Sequence, residues 1–84
     1  MTGMVENYGD LKLYFVGSGE VSEGNTIDDW DGFSKTLVAA TSRRNALLVA
    51  KLYDQNKALP GTLEWEGQPI TMVSFKDPST GRYL

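Results

Sequence analysis

The stretch KTLVAATSRRNALLVAKLYDQNK, residues 35–57, decides the architecture. Its larger part is an amphipathic helix. Thr41 or Ser42 offers a hydroxyl that can accept from an otherwise unpaired N–H of the first turn. At roughly 100° per residue, Ala46, Leu48, Val49, Ala50, Leu52 and Tyr53 fall on one broad arc, with Arg43, Arg44, Lys51, Asp54 and Gln55 on the other. The spacing predicts a helix over about 42–57, ended by Leu59-Pro60-Gly61, because proline disfavours helix in the residue before it. Ala46 and Ala50 are small enough to let that helix sit close on a sheet. Leu47 is out of pattern, projecting among Arg43, Lys51 and Asp54. It is either a solitary exposed leucine, which is ordinary, or a contact for the acidic loop described below or for a partner.

The opening of the stretch has two readings. Thr36 to Ala40 feeding directly into a Thr/Ser cap is a strand-to-helix junction. Against this, Trp30, Phe33, Leu37 and Ala40 recur at helical spacing, with Thr26 as a cap and Asp28 and Asp29 in a favoured first turn. We take residues 35–40 as a strand.

Upstream, Leu11 to Val16 alternates Leu11, Leu13 and Phe15 against Lys12, Tyr14 and Val16, the period of a strand, and Gly17-Ser18-Gly19 stops it. The first face is the core candidate, yet Tyr14 and Val16 leave the second less polar than a solvated face should be. Downstream, Thr62 to Glu66 and Ile70 to Phe75 read as a hairpin around Gly67-Gln68-Pro69. Ile70 and Met72 share one face there, Val73 and Phe75 the other. Asp77-Pro78-Ser79-Thr80-Gly81 is a turn, after which Arg82-Tyr83-Leu84 can return as a short strand. The expected fold is α+β: a small, mostly antiparallel sheet of three to five strands with one helix on one face, in the order ββα then hairpin.

Eighty-four residues provide for one core, hence one domain over 1–84, with 1–10 as a flexible lead-in and 17–34 as a long acidic loop. The start carries neither the basic end nor the apolar run of a targeting peptide, and nothing approaches the roughly 20 apolar residues of a membrane span. With no cysteine and a net charge of −3, the composition points to a cytoplasmic protein without general attraction to nucleic acid or anionic membrane.

The loop is where the chain is least ordinary. Residues 17–34 hold Glu20, Glu23, Asp28, Asp29 and Asp31, five of the eleven carboxylates, together with Trp30 and Phe33 and no Lys or Arg. Histidine and cysteine are both absent, which removes the usual general base and the common zinc and thiolate sites. No enzyme, cofactor or metal is therefore expected. Glu64 and Glu66 are the carboxylates of a solvated strand. The Gly17-Ser18-Gly19 turn is no dinucleotide site, since Ser22 stands where a third glycine is needed and no βαβ unit follows. Asp29-Trp30-Asp31-Gly32 has the look of a calcium loop, but aligned on Gly32 it places Ile27 and Val38 at the two end ligands.

The expectation for function is a non-enzymatic protein-binding module. Glu20, Glu23, Asp28, Asp29, Trp30, Asp31 and Phe33 would meet a basic partner, the carboxylates steering it and the aromatics supplying affinity. Trp30 and Phe33 have a second role open to them, as a lid on the core. The format is shared with small phage- or mobile-element-encoded inhibitors that occupy the nucleic-acid-binding surface of a host protein. Tyr14, Val16, Val73 and Phe75, on a sheet face left open, would serve a partner or a second copy. The alternatives are a nucleic-acid-binding or regulatory domain, with Arg43 and Arg44 on phosphate and Tyr14 and Phe75 stacking bases, and a structural subunit of a larger assembly.

Overall fold

The computed structural model describes residues 11–24, 26, 28 and 35–84. Their elements, in chain order, are β1 (Lys12–Gly17), β2 (Glu20–Gly24), β3 (Thr36–Ala40), α1 (Arg43–Asp54), β4 (Pro60–Trp65) and β5 (Gln68–Val73). The five strands form one sheet in the order β2-β1-β3-β5-β4. β1 runs antiparallel to both β2 and β3, β4 antiparallel to β5, and β3 parallel to β5. The fold is thus α+β, with the expected order of strands, helix and hairpin, and the sheet is mixed. The parallel pair is formed by the second strand of the hairpin, β5, which lies beside β3 and runs in its direction, while β4 takes the edge.

One strand lies inside the stretch read as loop. Gly17 pairs with Glu20 across Ser18-Gly19, both at positive φ (52° and 77°), the geometry of a two-residue type I′ hairpin turn. Glu20–Gly24 consequently folds back on β1 as an edge strand. What reads in sequence as a strand stop is a reversal into a second strand.

Helix α1 begins where its cap predicts. Ser42 is extended (φ −155°, ψ 165°) and its Oγ accepts from the Asn45 N–H at 3.1 Å. It ends earlier than predicted, and not at Pro60. Asn56 enters the left-handed region at φ 62°, its N–H donates to the Tyr53 carbonyl at 3.0 Å, and Lys57 N–H donates to the Leu52 carbonyl at 2.8 Å. This is a Schellman cap, with asparagine in the place that glycine usually takes.

The buried stripe of α1 is rotated from the one expected. Ala46 and Val49 are fully buried, Leu47, Leu52 and Tyr53 are partly so, and Leu48 is 43% exposed. Ala46, Val49, Ala50 and Tyr53 therefore centre the contact. Leu47 lies on its flank and packs against the helix-side core, so it contacts its own sheet rather than standing free.

Both sheet faces are buried. The helix covers Tyr14, Val16, Val21, Val38, Ala40 and Val73, with Phe75 and Leu84 packed alongside. This corrects the expectation of an open face made of Tyr14, Val16, Val73 and Phe75, available to a partner or second copy: that face lies under α1. The opposite cluster is Leu11, Leu13, Phe15, Leu37, Ala39, Leu63 and Met72, against which Trp65, Ile70 and Tyr83 pack.

The hairpin turns earlier and more tightly than predicted. Trp65 pairs with Gln68, and Glu66 and Gly67 both have positive φ (53° and 79°), a second type I′ turn. Pro69 sits within β5 opposite Glu64, four residues from the Val38↔Val73 pairing that joins β5 to β3. Its missing N–H interrupts no ladder there.

The 77–81 turn forms as read. Asp77 accepts from the Ser79 N–H (2.9 Å) and hydroxyl (2.8 Å), bonds that hold its carboxyl below the ordinary carboxylate range. The chain then returns through a Lys76↔Tyr83 bridge, Leu84 N–H donates to the Phe75 carbonyl at 2.9 Å, and Thr41 N–H donates to the Leu84 carbonyl at 2.7 Å. The last residues are thereby tied to the start of α1.

Candidate protein-interaction edge

The acidic stretch starts on the sheet. Along β2, Val21 is buried against the helix-side core while Glu20 and Glu23 are exposed, and Asp28 beyond the strand is exposed as well. Asp29, Trp30, Asp31 and Phe33, the rest of the predicted partner-binding set, lie outside the described residues.

Two packing features hold β2 in place. Residues 20 and 24 bracket a register in which Val16 opposes Val21, Phe15 opposes Ser22 and Leu13 opposes Gly24. The Phe15 ring lies over Gly24, in the space where a Cβ would project. Gly24 is not at positive φ; it is glycine because an aromatic ring crosses it. On the same face Lys35 Nζ donates to Ser22 Oγ at 3.1 Å.

The ladder alternation then fixes which main-chain groups face outward. Glu20, joined to Gly17 across the turn, exchanges both its main-chain bonds with β1, as do Ser22 and Gly24 two and four residues on. Val21 and Glu23 point their N–H and C=O away from β1. Since β2 has no second neighbour among the described strands, these four groups form an open edge, flanked by two carboxylates on opposite faces.

On the helix face, Glu23 opposes Tyr14. Tyr14 is 2% exposed. Burial, and then the Glu23 carboxylate, raise its phenol above the usual value, while the Arg43 guanidinium pulls the other way. Arg43 and Arg44 are exposed in the first turn of α1, where unpaired N–H groups favour anions. The aromatic half of the nucleic-acid site is not presented, however: Tyr14 is beneath the helix and Phe75 is packed partly buried against the same core. No base can stack on Tyr14 without displacing α1, which corrects that candidate pair.

A groove of about 450 Å³ lies beside the β1–β2 turn, between Val16, Gly17 to Gly19 and Thr36 on the sheet and Leu47, Lys51 and Asp54 on the helix. Among the described residues no group of three or more carboxylates gathers to hold a metal ion. No family model, curated protein or solved structure matches the chain.

The backbone is what sequence reasoning misses here. The carboxylates are conspicuous, but the open N–H and C=O of Val21 and Glu23 follow only once Ser18-Gly19 is taken as a hairpin turn.

Proposed function

We propose that the protein is a non-enzymatic protein-binding module that engages a basic partner through its acidic β2 edge and the acidic stretch following it. The observation that carries this reading is the placement of Glu20 and Glu23, exposed on a strand held by the Val16–Val21 contact and the Phe15–Gly24 contact. Charges on a rigid element are pre-organised for a partner and lose little entropy on binding. They steer a basic surface and repel acidic ones. We further propose that it acts in the cytoplasm and that its partner is a nucleic-acid-handling protein whose basic surface it occupies, the mode of a small phage-type inhibitor.

The test is capture of partners on tagged protein from its native lysate, with nuclease, followed by two variant sets. Neutralising Glu20, Glu23, Asp28, Asp29 and Asp31 to their amides is expected to weaken association on the order of tenfold or more at low salt, and Arg43→Glu with Arg44→Glu to leave it nearly intact. The converse pattern, with recovery only of nuclease-sensitive material, supports the nucleic-acid alternative instead.

A further inference from the structure

We infer that the partner binds by strand addition to β2, as an extended antiparallel segment carrying Lys or Arg at two positions three residues apart. The inference rests on the reading that the acidic edge meets a basic protein and adds the mode and the spacing. Among the described strands the sheet has two edges, β2 and β4. β4 begins with Pro60, which has no N–H, and although the main-chain groups of Thr62 and Glu64 point outward beyond it, it carries one exposed carboxylate where β2 carries two. β2 holds no proline and turns the N–H and C=O of Val21 and Glu23 outward, the four groups a docking strand would bond.

Charge selects the occupant. A second copy pairing antiparallel on β2 would bring two Glu20 and two Glu23 carboxylates together across one ladder, and like charges on facing strands destabilise pairing. A basic strand is complementary. Glu20 and Glu23 are three residues apart and so lie on opposite faces; their cross-strand neighbours in the partner are likewise three apart, one on each face. Two cations are already near this strand, Lys35 at Ser22 Oγ and Arg43 near Tyr14.

The probe is a capped seven-residue peptide of alternating threonine and valine with lysine at its third and sixth positions, titrated into the full chain at low salt while amide exchange is followed by NMR. Exchange at Val21 and Glu23 is expected to slow on the order of tenfold at saturation, with the amides of Ser22 and Gly24, already bonded to β1, unchanged. The same peptide with glutamate at those positions, or N-methylated on its pairing edge, is expected not to bind. Binding of the lysine peptide without slowing at Val21 and Glu23 overturns strand addition and leaves the basic-partner reading standing. Failure of the lysine peptide to bind at all overturns strand addition, while the basic-partner reading is decided separately by the capture and its charge-neutralised variants. Protection of Val21 and Glu23 that rises with protein concentration alone identifies a second copy as the occupant and overturns the inference.

Discussion

At the scale of single residues, Gly24 and Tyr14 show how β2 and the helix are fixed to the sheet. Because the Phe15 ring occupies the space of a Gly24 Cβ, Gly24→Ala must push an aromatic out of the second core. A loss of about 1–3 kcal/mol is expected, measured by urea denaturation, and it should shrink in a Phe15→Leu background, where the ring is gone. For Tyr14 the sign follows from its raised pKa. The unfolded chain ionises near pH 10 while the folded one stays protonated. Tyr14 thus contributes stability that is complete below pH 10 and lost as pH rises through the folded value. Stability of the wild type is expected to fall more steeply above pH 10 than that of Tyr14→Phe, read from denaturation midpoints across that range. Neither residue's role is legible in the sequence. Tyr14 looks like an exposed aromatic because strand alternation gives two faces without saying which one a helix will cover. The choice between Leu47 and Leu48 fails for a similar reason: both are apolar, and the close seat allowed by Ala46 and Ala50 sets the rotation.

Among the elements, the strand-helix junction at 36–43 and the Ser42 cap can be read from sequence, since apolar alternation, a hydroxyl and an amphipathic run agree there. β2 cannot be read from apolar pattern, because Glu20-Val21-Ser22-Glu23-Gly24 has a single apolar side chain. Its existence depends on the turn. Gly19 is at φ 77°, and nothing lies within 4 Å of the point where a Cβ would project, so Gly19→Ala introduces backbone strain without a clash. The expected cost is about 1–2 kcal/mol, or a fall in Tm of about 4–8 °C per kcal/mol for a domain of this size, followed by thermal denaturation. The hairpin register is misjudged from sequence because Gly67-Gln68-Pro69 looks like the turn; Glu66 adopting positive φ beside Gly67 makes 66–67 the turn and puts Pro69 in a strand.

Over the whole molecule, the mixed sheet leaves an acidic edge at β2, with Arg43 of α1 near the same Tyr14 that Glu23 faces. The acidic composition of residues 17–34 is visible at once in the sequence, but not its support, since a string of carboxylates in a Gly-rich segment reads the same whether it hangs in solvent or borders a sheet. If β2 is the recognition edge, its carboxylates act chiefly on encounter, so their effect belongs in the association rate and is screened by salt. The most direct measurement is the association rate of the captured partner with wild type and with Glu20→Gln/Glu23→Gln, from low to high salt. The wild type is expected to associate on the order of tenfold faster at low salt, with the two converging as salt rises; equal rates at every salt concentration would rule out β2 as the recognition edge.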